Sequence, residues 1–188
     1  MRRLSPWARE VKRDMERAQS IDIMAAYFAP NPAMLRRLDR AGLRGRVRLI
    51  LPSRLDHGAA IWAARFTYAG LLRKRVQIYE YQPTKLHAKL FLLDDVVNIG
   101  SANFDIRSMF LNLELMFRVE DPAFAAYVRA FVDGEVACSE RITPELYRAR
   151  TGPWTRIKQA AAYFVMAVLD YNVTRRLNFG PRGTRPQG

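Results

Sequence analysis

The chain has 188 residues, with 31 Lys plus Arg against 18 Asp plus Glu, a formal charge of +13 with neutral histidines. An apolar content of 49%, with 11% aromatics, excludes a disordered tail or a solvated linker, and the single Cys138 excludes an intrachain disulfide framework or a cysteine-based structural zinc site. The opening Met1-Arg2-Arg3-Leu4-Ser5-Pro6 lacks the apolar core of a secretory signal, so the chain is expected to start as written, and the longest apolar run, Ala160 to Leu169, falls short of the roughly 20 residues of a membrane span.

Ser5-Pro6 predicts a helix start, and Trp7, Val11, Met15 and Ala18 recur at helical spacing behind it. Ile21 to Tyr27 predicts a strand, Asn31-Pro32 a helix ending near Gly42 or Gly45, and Val47 to Leu51 a second strand stopped at Pro52. A helix over about 58–73 precedes a strand from Val76 to Tyr79. The alternation predicts an α/β layered domain whose β-sheet is mixed or mostly parallel and flanked by helices. Leu86–Leu93 and Val96–Ile99, joined by Asp94-Asp95, predict a hairpin. Gly100 to Asn103 reads as a turn, 106–110 as a short helix, Leu113–Val119 as a strand, and Asp121-Pro122 as the cap of a helix through Val132. The tail is expected to hold a helix near 144–150 and another from Pro153 to about Leu177. That divides the chain into one layered α/β domain over 1–150, an apolar C-terminal helix over 151–180 and a frayed end over 181–188.

Charge is polarised along the chain. Residues 1–75 carry 17 bases and 6 acids, residues 76–140 carry 5 and 10, and residues 141–188 carry 9 and 2. The paired arginines Arg36-Arg37 and Arg175-Arg176 and the run Arg73-Lys74-Arg75 favour an anionic polymer or an anionic membrane surface as partner.

One of only two histidines, His87, stands in Leu86-His87-Ala88-Lys89. Strand alternation puts His87 and Lys89 on one face, an imidazole beside an ammonium, with Ala88 and Leu90 turned to the other layer. Imidazole serves as nucleophile or proton carrier near neutral pH, and the lysine holds a phosphate oxygen. Ser101 and Asn103, two apart after Gly100, supply neutral donors for the same oxygens. The set suits phosphoryl chemistry.

The pattern His87-x-Lys89-x(4)-Asp94 with Gly100-Ser101-x-Asn103 resembles the HKD signature of the phospholipase D superfamily. The surroundings are similar to the C-terminal half of a bacterial cardiolipin synthase: Tyr27-Phe28-x-Pro30, Val76 to Tyr81, and Asn103-Phe104-Asp105-Ile106-Arg107-Ser108-x(3)-Asn112-x-Glu114. This resemblance implies a phosphodiester transferase or hydrolase that works without metal or other cofactor. It implies that His87 forms a phosphohistidine and that a second histidine protonates the leaving alcohol. It further implies that Lys89 and Asn103 stabilise the pentacoordinate oxygens, that Ser101 assists through the turn, and that Glu114 accepts from the other ring nitrogen of His87. Asp94 is implied to be a structural acceptor away from phosphorus.

Three departures from the resemblance stand out. Five residues separate Asp94 from Gly100 where relatives commonly have six, so the turn is expected to be tighter. Arg75 occupies a place where relatives often carry glycine. Only one such motif is present, and His57, in Asp56-His57-Gly58, has no lysine two residues on and reads as a helix cap or surface residue. A complete site therefore needs a second half, by homodimerisation or from a separate chain; the remaining option is an inactive half.

Both a phospholipid headgroup and a nucleic acid are phosphodiesters that attract a basic chain. The last helix, with Ile157, Tyr163, Phe164, Val165 and Leu169 between Arg156/Lys158 and Arg175-Arg176, reads equally as an interfacial or a packing helix. The sequence reading favours lipid: a phosphatidyl transferase or hydrolase acting on phosphatidylglycerol-like anionic diesters, peripheral on the cytoplasmic face of a membrane. The alternatives are a dimeric nuclease and a non-catalytic lipid-binding half.

Overall fold

A computed structural model describes residues 6–55, 58–110 and 114–169. His57 and Asn112, the Ser5 cap and everything after Leu169, including the expected frayed end, lie outside the described residues.

The elements follow in the order α1 (Pro6–Arg17), β1 (Ser20–Ala25), β2 (Phe28–Ala29), α2 (Pro32–Arg44), β3 (Arg46–Pro52), α3 (Gly58–Arg73), β4 (Gln77–Tyr81), β5 (Lys89–Leu93), β6 (Val96–Gly100) and β7 (Phe104–Asp105). They continue with α4 (Ile106–Phe110), β8 (Met116–Glu120), α5 (Pro122–Ala137), β9 (Ser139–Ile142), α6 (Pro144–Arg150) and α7 (Pro153–Phe164), the last running into a π-helical turn over Val165–Leu169. Seven strands form one mixed sheet in the order β8-β6-β5-β1-β3-β4-β9. β1, β3 and β4 are parallel at its centre, as the α-β-α-β-α-β alternation requires, and the remaining pairings are antiparallel.

Asn31 and Asp121 cap α2 and α5 as expected, their side chains accepting from Met34 N at 2.9 Å and Phe124 N at 2.7 Å, each with proline at the first helical position. One side of the sheet is packed by Met15, Leu38, Tyr68 and Phe91, the other by Ala125, Val128 and Val132 of α5 against Leu90, Leu92 and Val97. Into this core the chain places an ion pair in register: Asp22 of β1 lies opposite Arg48 of β3 and accepts from its Nε at 2.6 Å and its second terminal nitrogen at 2.8 Å. Arg48 also reaches Asp133 on α5 at 2.6 Å, so one guanidinium ties the sheet to the helix above it.

Several expectations need correction. β5 begins at Lys89 rather than Leu86, so His87 precedes the strand. β9 was not foreseen, because Ser139-Glu140-Arg141-Ile142 has one apolar residue and pairs only as the sheet's edge. Gly100 ends a strand instead of making a turn. A Cβ there would sit 2.1 Å from the Leu115 carbonyl oxygen, so the glycine serves close approach of β6 to the segment before β8.

Candidate active site

The carboxyl end of β1, the start of β5 and the end of β6 meet at one end of the sheet. Ala25, fully buried and small, is the register partner of Lys89, and Ala26 N donates to Ala88 O at 3.1 Å, so pairing extends just short of His87. His87 is exposed and Lys89 half-buried. The two are joined through the backbone, Lys89 Nζ donating to the His87 carbonyl at 2.9 Å. Leu86 and Leu90 are buried beneath α5, which fixes the alternation and turns Lys89 toward the site.

A two-stranded parallel ribbon holds the second segment. β2 pairs with β7, Phe28 opposite Phe104, and their rings stack at 5.4 Å while Phe104 also meets Phe91 at 5.8 Å. Asn103 is thereby held next to a core anchor. Its Oδ1 accepts from Tyr27 N at 3.2 Å, which orients the amide, and its own N–H donates to Ser108 Oγ at 3.1 Å. Ser101 donates to Glu114 Oε2 at 2.5 Å and accepts from Leu115 N at 3.0 Å, while its backbone N–H reaches Leu115 O at 3.0 Å.

The electrostatics connect these groups. Burial lowers the Lys89 ammonium below its ordinary value, and the carboxylates of Glu114 and Asp105 pull it back up. Asp105 is itself raised by burial, against the hydrogen bonds of Ser108, whose N–H it accepts at 2.8 Å. Lys89 thus sits between burial, which favours its neutral form, and two carboxylates, which favour its charged form.

The site thus brings Lys89, Ser101, Asn103 and Glu114 to one end of the sheet with His87 at its rim. Asp94 is elsewhere. It lies at the opposite end of β5, where its carboxylate accepts from the backbone N–H groups of Gln19 at 3.1 Å and Ser20 at 2.8 Å. Asp105 and Ser108 were not singled out from the sequence. The signal was a helix cap, with Asp105 before α4 and Ser108 three residues on, which pins Asn103 from behind.

A family described as the cardiolipin synthase, PLD-like domain matches residues 11–134. The chain belongs to this family. It is 43% identical over 126 residues to cardiolipin synthase A of Pseudomonas aeruginosa, a match covering 65% of this chain and 26% of that protein. It is 34% identical over 138 residues to cardiolipin synthase 1 of Staphylococcus epidermidis, covering 72% and 28%. The chain therefore spans about a quarter of the length of these relatives. Among solved structures, the phospholipase D family member Nuc from Salmonella typhimurium superposes with a TM-score of 0.63 at 21% identity, over 74% of this chain and 95% of Nuc. The phosphatidylserine synthase of Haemophilus influenzae gives 0.62 at 14% identity, over 89% and 43%. These likenesses establish the phospholipase D-type fold, and the sequence relatives establish a phospholipid-modifying family.

Proposed function

We propose that this chain is one half of a phosphatidyl transferase or hydrolase of cardiolipin synthase type, acting on phosphatidylglycerol-like diesters. The observation that carries it is the convergence of His87 and Lys89 with Ser101, Asn103 and Glu114 at one end of the sheet, in a chain of this family. Lys89 Nζ and the amide N–H groups of Asn103 hold the non-bridging oxygens. The His87 imidazole attacks phosphorus as the bond to the leaving alcohol breaks, giving a phosphohistidine, and an imidazolium of the second half gives its proton to the leaving oxygen. An acceptor alcohol or water then loses its proton to that same imidazole, attacks phosphorus and releases His87. Ser101 and Glu114 position the segment, and Asp94 joins β5 to β1.

A single chain offers one such histidine, and exposed apolar residues lie at the β6–β8 edge of the sheet. Phe117 on the edge strand β8, Leu115 just before that strand, and Ile99 opposite Phe117 on β6 form a face suited to burial against the second half. We place the assembled enzyme on the cytoplasmic face of a membrane, as a peripheral protein. Among the described residues no helix is long and apolar enough to cross one.

The test is turnover of phosphatidylglycerol vesicles and of a nucleic acid substrate, side by side in chelator, with solution molar mass measured on the same sample. An assembly that cleaves lipid and is silenced by His87→Ala with its melting temperature intact is the expected result. Cleavage of nucleic acid alone, or full activity of His87→Ala, overturns the reading.

A further inference from the structure

Helix α7 is built inside out. It lies against α3, with Tyr163 stacked on Phe66 at 4.9 Å, and the buried position at its middle is polar: Gln159, 3% exposed, accepts from Tyr147 Oη at 3.1 Å. The face turned to solvent carries Trp154, Ile157, Ala161 and Phe164, spaced as one helical stripe, with Trp154 77%, Ile157 57% and Phe164 51% exposed. A helix that only packed would show the reverse pattern.

Arginines gather at the amino-terminal end of α7, on the side that Arg156 shares with Gln159 and Tyr163 by helical spacing and not in the stripe itself. Arg156 of α7, Arg148 of α6 and Arg73 at the end of α3 surround a concavity of about 180 Å³ floored by Ala69, Leu72 and Tyr147. Glu145 pairs with Arg148 at 3.0 Å on the open surface, which offsets part of that one charge. The sequence after Leu169 adds four arginines against one aspartate. The other end of the stripe reaches the catalytic end of the sheet: Tyr163 Oη donates to the carbonyl of Pro30, one residue beyond β2, and β2 pairs with the β7 strand that follows Asn103.

The geometry points to α7 as a docking surface for an anionic phospholipid bilayer, its Trp154–Ile157–Phe164 stripe entering the interface while Arg73, Arg148 and Arg156 bind headgroup phosphates. This rests on the lipid reading of the catalytic site and adds a second, non-catalytic lipid contact to it. Charge decides the occupant. A second copy seated on this face by a two-fold axis would bring two arginine clusters together, whereas an anionic leaflet neutralises one. Tryptophan beside basic residues is the composition that settles at a headgroup boundary.

The test is flotation of the full chain with phosphatidylcholine vesicles, with and without phosphatidylglycerol, at low and high salt. Wild type and His87→Ala are expected to float only with phosphatidylglycerol and to be released by salt. Arg148→Glu/Arg156→Glu is expected to lose about thirtyfold in partitioning, since each of the two basic residues near an anionic leaflet contributes about 1 kcal/mol, and Trp154→Ser/Ile157→Ser at least about tenfold through lost apolar burial. Trp154→Phe should keep flotation and lose the fluorescence blue shift on vesicles. Absent flotation of the wild type, or undiminished flotation of both double variants with unchanged circular dichroism, overturns the proposal. So does a stripe variant that only lowers the molar mass in solution. Cleavage of short-chain monomeric phosphatidylglycerol without flotation would sink the docking surface alone; flotation through this face by an assembled enzyme that leaves phosphatidylglycerol intact would sink the substrate reading alone.

Discussion

The hydroxyl of Ser101 and the carboxylate of Glu114 share a 2.5 Å hydrogen bond that joins the end of β6 to the segment entering β8. The same oxygen accepts from Leu115 N, so Ser101 is a clip between two chain segments at the candidate site. Ser101→Ala should cost about 1–3 kcal/mol of stability, since it loses a charge-assisted bond to Glu114 and the bond from Leu115 N, and should free Glu114 to reorient. We expect kcat to fall about tenfold to a hundredfold with KM nearly unchanged, and Ser101→Thr to restore most of it. An equal loss in both variants, tracking melting temperature, would make the contact merely structural.

Lys89 should show itself in the pH profile. Burial holds its ammonium below the ordinary 10.5, and only the protonated form attracts a phosphate oxygen. Beyond the first alkaline fall, where the imidazolium that protonates the leaving oxygen is lost, a second alkaline limb of kcat/KM in the assembled enzyme is therefore expected below pH 10.5. Lys89→Arg, which stays charged throughout, should move that limb upward at reduced overall activity. An unchanged limb in the arginine variant would assign the ionisation to another group.

Asp94 belongs to the motif and lies at the end of β5 away from the candidate site. Its carboxylate accepts two backbone N–H groups at the start of β1, its own φ is +50°, and its carbonyl takes a 2.6 Å bond from Arg129. Asp94→Ala loses the charge-assisted bonds, worth about 1.5–3 kcal/mol each way of counting, and leaves a side chain ill suited to a left-handed conformation. Urea unfolding should report a loss of about 2–3 kcal/mol, while protein that remains folded keeps most of its kcat. Loss of turnover at unchanged stability would return Asp94 to the active site.

Much of this was legible in the sequence because local rules and tertiary structure agree. Asn31-Pro32 and Asp121-Pro122 start helices by capping chemistry that needs no partner, and the β1-α2-β3-α3-β4 order follows from alternating apolar periods. His87 and Lys89 were visible as unusual residues in an apolar run. What escaped depends on distant partners. The start of β5 is set by where β1 ends, and the role of Gly100 by the Leu115 carbonyl that comes within reach of it. Asp22 and Arg48 look like surface charges singly and become a buried pair only through register. The outward apolar face of α7 shows only once its inward face is known to be Gln159 and Tyr163.

Arg75 is a place where the chain is less stable than it need be. It follows α3 with φ +62°, in the left-handed region, while Val76 N closes back onto Leu71 O at 3.2 Å. This is the helix stop that glycine makes without strain, and a left-handed non-glycine residue costs about 1–2 kcal/mol, part of which glycine gives back as entropy in the unfolded chain. Arg75→Gly should raise stability by about 0.5–1 kcal/mol and leave turnover unchanged. A lower melting temperature would mean that the arginine side chain makes up the strain through its own contacts.

Phe117 tests how the site is completed. It faces solvent on an edge strand, opposite exposed Ile99 and close in sequence to exposed Leu115, directly after the segment that carries Glu114. An edge strand with this much exposed apolar surface invites pairing or packing unless something covers it. If the second half seats here, Phe117→Glu buries a carboxylate against apolar surface and should abolish both assembly and turnover, while the isolated domain, whose own core it does not enter, keeps its circular dichroism and melting temperature. Light scattering and the phosphatidylglycerol assay on one sample read both. An assembled, active Phe117→Glu protein would place the second half on another face.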